Sequence, residues 1–190
     1  MAYTYEGGTS LRTYELTSAT GGLIPIPDPD HVVHLQFRRF AGCPVCNLHL
    51  RSFAVRHAEI EAAGVREVVV FHSPADELRE YVADLPFDAI PDPDRELYVD
   101  FGVESRPRAL LDPRVWPTIV RAVVAGRLRR DKLPANRPNG GRFGLPGDFL
   151  IGPDGSVLAS KLGVHANDQW SVDEMLALTR PAWISLAQRA

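Results

Sequence analysis

The stretch His31-Val-Val-His-Leu-Gln-Phe-Arg-Arg-Phe-Ala-Gly-Cys43-Pro-Val-Cys46-Asn-Leu-His-Leu50 decides how the rest of the chain is read. An apolar strand over Val32 to Phe37 runs into a short turn at Arg39 to Gly42, and two cysteines then open a helix. A thiol at a helix N-terminus lies among backbone N–H groups that lack intrahelical partners, at the positive end of the helix dipole. Both favour thiolate over thiol. Pro44 takes the first helical position, where its missing N–H costs nothing. Cys46 follows within one helical turn, so the two sulfurs can close a small ring. The chain has 2 cysteines, these two, and the pattern predicts a redox pair.

Composition bounds the reading. The 190 residues are 45% hydrophobic and 24% charged, the balance of one globular domain over 1–190 with a sizeable core. A net charge of -3 gives no reason to expect nucleic acid or an anionic membrane as partner. The N-terminus, Met-Ala-Tyr-Thr-Tyr-Glu-Gly-Gly, shows no basic n-region or apolar h-region, and no run approaches a membrane span. The expected compartment is a reducing cytosol, where two close cysteines argue for catalysis or metal binding over a structural disulfide.

Along the chain, Leu11 to Leu16 and Leu23 to Ile26 form an expected N-terminal hairpin (11–30) ended by Pro25, Pro27 and Pro29. The strand Val32 to Phe37 puts Val33, Leu35 and Phe37 on one face and Val32, His34 and Gln36 on the other, so it is not cleanly two-sided. Pro44 to Ala63 reads as one long helix with Gly64 as C-cap, and Glu67 to Phe71 as a buried parallel strand. Ser73 is the expected N-cap of a helix to about Ala83. Phe87 to Ile90 reads as a short strand, and Asp92 to Gly102 holds a short helix. Residues 104–142 interrupt this alternation with a basic insertion and a helix from about Val115 to Arg130, read as a solvated basic face before an anionic-ligand patch. Leu145 to Ile151 and Ser156 to Ser160 form a hairpin turned at Asp154-Gly155. A capping box, Ser171-Val-Asp-Glu174, opens a closing helix to about Thr179, limited by Pro181, though a further turn through Ile184 and Leu186 fits the pattern.

The order strand, Cys43-Pro-Val-Cys46, helix, strand, helix, then Leu145-Pro146 before a strand and a Gly-turned hairpin resembles the thioredoxin fold. Phe37-Arg-Arg-Phe-Ala-Gly-Cys43, Asp92-Pro-Asp-Arg-Glu96 before Phe101-Gly-Val103, and Gly144-Leu-Pro-Gly-Asp-Phe-Leu-Ile151 are most similar to its peroxiredoxin-like branch, the alkyl hydroperoxide reductase and thiol-specific antioxidant superfamily. The resemblance covers about residues 11 to 180. It implies an α/β fold with a central mixed sheet flanked by helices. It implies an exposed nucleophile at Cys43, a more buried resolving thiol at Cys46, and a cis peptide before Pro146 facing the pair. Peroxide-reducing relatives carry Pro-x-x-x-Thr/Ser-x-x-Cys. Counted back from Cys43, the hydroxyl and proline positions hold Phe40 and Gln36; from Cys46 they hold Cys43 and Arg39. Neither frame supplies the hydroxyl, which favours dithiol–disulfide exchange over a dedicated peroxidase.

A free thiol titrates near about 8.5, and catalysis needs it lower. Arg38 and Arg39, just upstream, are candidate cations for that purpose, or a solvated strand end, the latter expected more of Arg38. Arg142 is a further candidate for the anion side. Cys43, Cys46 and His49 could begin a metal site, but structural zinc wants four N or S ligands, with the fourth drawn from as far as His165 or His72. No metal and no cofactor is therefore expected. His49 reads as an exposed or partly packed helical residue, and Trp170 as a hydrophobic staple into the last helix. The expected partners are a disulfide or hydroperoxide substrate and a reducing thiol donor, and a homodimer is compatible with them. The rival reading is a non-catalytic module of the same fold that binds a protein or small ligand.

Overall fold

Strand β3 (Val32–Arg38) is the axis of the molecule, with all seven residues buried. It pairs in parallel with β4 (Val65–Phe71), which pairs in parallel with β5 (Asp88–Pro91). On its other side it pairs antiparallel with β6 (Gly147–Ile151), which hairpins into β7 (Val157–Leu162). The five-stranded mixed sheet has the order β5-β4-β3-β6-β7. A separate two-stranded sheet joins β1 (Tyr14–Thr17) and β2 (Leu23–Ile26). This is the expected thioredoxin-like α/β architecture. The structure, a computed structural model, describes residues 10–103, 113–130, 141 and 144–187, with residues 180–187 described by backbone alone. Arg142, the loop over 131–140 and the first part of the insertion lie outside the described residues.

Several elements depart from the expected reading in their bounds or caps. Strand β1 starts after Leu11, whose N–H is committed to the carbonyl of Gly155. The long helix divides into α1 (Pro44–Val55) and α2 (His57–Ala62). At the break, the Arg56 N–H bonds the Phe53 carbonyl while its guanidinium holds Glu59 and Asp173. Ser73 does not cap α3 (Ala75–Val82): it is fully buried, and its Oγ accepts the Ala41 N–H at 3.0 Å. Helix α4 (Glu96–Asp100) is capped instead by Asp92, whose carboxylate accepts from Glu96, Leu97 and Tyr98. The insertion contributes α5 (Trp116–Arg129), which rests on α1. The last helix, α6 (Val172–Ala187), continues through Pro181 instead of stopping near it.

The expected capping box is present, with the Ser171 N–H and Oγ both bonded to Glu174 Oε2. Trp170 and Met175 pack in one cluster with Phe53 and Leu150, as the staple requires. His165 accepts the Asn167 N–H and builds the preceding turn.

Candidate active site

The turn between β3 and α1 is held from both sides. The His72 N–H donates to the Arg39 carbonyl at 3.1 Å, and Ser73 holds Ala41. Gly42 has φ +74, and a Cβ there would lie 2.6 Å from the Tyr81 ring, so a side chain at this position is both strained and obstructed. Cys43 is the N-cap of α1, and its Sγ accepts the Cys46 N–H at 3.4 Å. Pro44 stands at the start of the helix, as read from the sequence.

Both cysteines are free thiols, and their Sγ atoms are 2.8 Å apart. A disulfide of about 2.05 Å is therefore within a small side-chain movement. Arg39, itself 3% exposed, donates through Nη2 to Cys43 Sγ at 2.9 Å.

The two thiols titrate as one unit. Taken singly, burial and then the hydrogen bond shared with Cys46 push Cys43 well above the ordinary thiol range. Burial also opposes ionisation of Cys46, but the bond to Cys43 and the Arg39 charge outweigh it and bring that thiol down to about 5. The pair thus loses one proton below the ordinary range and holds the second above it. Arg39 Nη2 and the Cys46 N–H donate to Cys43 Sγ, and the one proton the pair retains is shared between the two sulfurs 2.8 Å apart.

Two expectations fail here. Cys43 is not exposed: it is 0% and Cys46 3% accessible. The cause is the insertion. Helix α5 lays Ala122 and Ile119 on a cluster of Phe40, Cys43, Val45 and Cys46, with Leu48 beside it. In this conformation neither sulfur is open to solvent. Nor is the Leu145–Pro146 peptide cis; among the described residues the cis bond is Ile26–Pro27. Pro146 serves the neighbouring strand, its carbonyl accepting the Gly163 N–H and its ring lying against Gly163. The close approach to the site falls to Gly144, where a Cβ would lie 3.1 Å from Arg39 Cγ and 3.3 Å from His72 Nε2.

Arg38 is not a solvated strand end. It is fully buried, with Nη2 bonded to Asp148 Oδ1 at 2.7 Å and facing His49 Nε2 at 3.1 Å. Behind it on the same sheet face, His34 Nδ1 meets Glu67 Oε2 at 2.9 Å, and Gln36 links Glu67 to Arg38. Burial opposes a charge on His34, but Glu67 and then Asp148 outweigh it and raise the imidazole to about 9. Burial would also raise Asp148, yet Arg38 and His34 hold its carboxyl well below the usual range. Burial and the Arg38 charge push His49 well below its ordinary value, so it is neutral and partly buried. Sequence reasoning missed this cluster. The signal was polar residues at alternate positions 34, 36 and 38 of a central strand, which a sheet covered on both faces must bury together.

The sequence model of the family described as AhpC/TSA antioxidant enzyme matches residues 52–164. The chain belongs to the AhpC/TSA antioxidant enzyme family. The matched span begins downstream of both cysteines, so membership rests on the scaffold and not on the pair. Peroxidoxin BcpB from Mycobacterium tuberculosis is 17% identical, with a TM-score of 0.66 over 94% of this chain and 98% of that one. Peroxiredoxin 6 of Arenicola marina is 18% identical, with a TM-score of 0.69 over 95% of this chain and 74% of that one. A putative thiol:disulfide interchange protein DsbE from Chlorobium tepidum is 19% identical, with a TM-score of 0.59 over 93% and 99%. These likenesses show the shared fold. No curated protein matches the sequence. As a member of the AhpC/TSA antioxidant enzyme family, the chain falls in the class of thiol-dependent oxidoreductases that its sequence pointed to.

Proposed function

We propose that the protein is a thiol–disulfide oxidoreductase in which Cys43 attacks and Cys46 resolves. The observation that carries this reading is the pair of N–H donors on Cys43 Sγ, from Arg39 and Cys46, with Cys46 Sγ 2.8 Å away. The Cys43 thiolate attacks one sulfur of a substrate disulfide, and the departing thiolate takes up a proton. Cys46 then loses its proton and attacks Cys43 in the mixed disulfide, releasing the second substrate thiol and closing the Cys43–Cys46 bond. Two electrons pass to the substrate, and a thiol donor returns the pair to its reduced form. With a hydroperoxide the first step cleaves the O–O bond, leaving an alcohol and a Cys43 sulfenic acid that Cys46 condenses with loss of water. Arg39 holds the attacking charge, and α5 has to move aside for substrate to reach it. We place the reaction in a reducing compartment, the cytosol, where such a pair is maintained as dithiol.

The burial of both sulfurs favours a second reading, a binding module whose cysteines are packing residues. Alkylation separates the two. The oxidoreductase has Cys43 reacting at pH 6, faster still in Ile119→Ala, and loses insulin-disulfide and hydroperoxide turnover in Cys43→Ser. Slow alkylation with an ordinary thiol pH profile supports the binding module.

A further inference from the structure

Four ionisable side chains and one amide lie on the sheet face beneath α1. Glu67 on β4, His34, Gln36 and Arg38 on β3, and Asp148 on β6 are each between 0% and 2% exposed. They form a continuous ladder. Glu67 Oε2 meets His34 Nδ1 at 2.9 Å, His34 Nε2 lies 3.5 Å from Asp148 Oδ1, and Asp148 Oδ1 accepts from Arg38 Nη2 at 2.7 Å. Gln36 bridges Glu67 and Arg38, and the Trp170 N–H closes the other Asp148 oxygen at 3.2 Å. With His34 protonated the ladder carries two charges of each sign.

Stability does not account for it, because buried ion pairs are commonly no better than well-packed apolar residues. The other face of β3 has that apolar alternative in Val33, Leu35 and Phe37. Position is what distinguishes the ladder. Arg38 is chain neighbour to Arg39, which contacts Cys43, and its guanidinium reaches His49, three residues beyond Cys46 on α1. One helical turn is about 5.4 Å, so the Arg38 cation lies within Coulombic reach of the Cys46 sulfur in a medium that screens weakly.

We propose that Arg38 is a positioning residue whose buried charge sets how readily the Cys43–Cys46 pair ionises and how strongly its reduced form is held, with Asp148 as the counter-charge that limits it. This rests on the redox reading above and adds what tunes that pair. The other titratable groups around the dithiol are Arg39 and His72 at the turn, His49 on α1, and Tyr98 on α4, whose hydroxyl donates to the Arg38 carbonyl. Helix α5 presents Ile119 and Ala122 to the pair. A positive neighbour favours thiolate, and therefore the reduced pair, so deleting a cation and deleting an anion have opposite consequences.

The test measures two quantities in each variant, the pH profile of Cys43 alkylation and the equilibrium of the pair with glutathione. Asp148→Asn should move the alkylation profile about one pH unit lower and shift the equilibrium about tenfold toward the reduced pair, which is about 30 mV for two electrons. Arg38→Gln should move both readouts the opposite way by a similar amount. Glu67→Gln, at the far end of the ladder, keeps the Arg38–Asp148 pair. It should shift in the Asp148→Asn direction by less, and it decides the matter if Asp148→Asn does not fold. Shifts of one sign in all variants, or none beyond threefold, overturn the proposal and leave the ladder a packing feature. The alkylation readout uses no disulfide or hydroperoxide, so it reports on the ladder independently of turnover. If Cys43→Ser retains turnover while the opposite signs hold, the proposed function fails and the ladder stands. If turnover is lost but the signs are absent, only the ladder's role fails.

Discussion

The two faces of the central sheet are equally buried and chemically opposite. On one, Val33, Leu35 and Phe37 of β3 join Val68, Val70, Phe149 and Ile151 under α4 and the N-terminal hairpin. Its aromatic rings stack edge to face, Phe37 lying 5.7 Å from Phe149 and 5.0 Å from Tyr98. On the other, one residue out of step along the same strand, His34, Gln36 and Arg38 meet Glu67 and Asp148 under α1. The apolar face gains free energy with each contact, whereas the charged face has to offset several kcal/mol of desolvation per ion (about that order) by pairing alone. The chain accepts that cost on the face that runs out beneath the dithiol, and nowhere near it on the other. The contrast teaches that one face holds the fold and the other conditions the sulfurs.

Predictions follow from separating the faces, beginning with the most disruptive. Phe37→Ala should cost about 3–5 kcal/mol in urea unfolding and leave the Cys43 alkylation profile of the folded protein in place; a shifted profile would merge the two faces. Next comes the pH dependence of the charged face. His34 is raised to about 9 in the folded protein from about 6.5 unfolded. Its contribution is full below about 6.5 and is lost as pH rises through 9, about 3 kcal/mol in all. Asp148 is depressed, so its contribution is present above about pH 4 and is lost as pH falls through its folded value. Unfolding titrations should therefore show greatest stability between about pH 4 and 6.5, and His34→Gln should flatten the alkaline limb while Phe37→Ala preserves it. Gly42→Ala, at the turn that carries the pair, should cost about 1–2 kcal/mol from its φ of +74. It should also disturb Tyr81, visible as a change in alkylation rate. The smallest effect is Ser171→Ala at the α6 cap, about 1 kcal/mol in thermal unfolding with no change at the sulfurs.

Much of this architecture can be read from local pattern. The succession of strands and helices follows from patterns within single segments, and the Cys43 cap with Pro44 behind it, the Gly155 turn and the Ser171 capping box each rest on residues close in sequence; these appear as expected. Arg39 belongs to the same class, being four residues from the sulfur it contacts. What escaped depends on distant parts of the chain. Arg38 looks like a strand end until Asp148, far along the chain, pairs with it. The cysteines look exposed until α5 folds back over them. Ser73 looks like a cap until Ala41 claims its hydroxyl. The Leu145–Pro146 peptide, cis by the resemblance, is not cis, and the backbone that comes close to Arg39 and His72 is that of Gly144. No spacing rule within a segment reports which remote segment will cover it.

The account stands on the Cys43–Cys46 pair acting as a two-electron couple under its α5 cover. The direct measurement equilibrates the intact protein in graded dithiothreitol redox buffers, traps free thiols by alkylation, and weighs the products. Both thiols should disappear together along a single two-electron curve, with a mass lower by two hydrogens and no transition in Cys43→Ser. Thiols that remain alkylatable in the most oxidising buffer, or that oxidise one at a time into dimers, would contradict it.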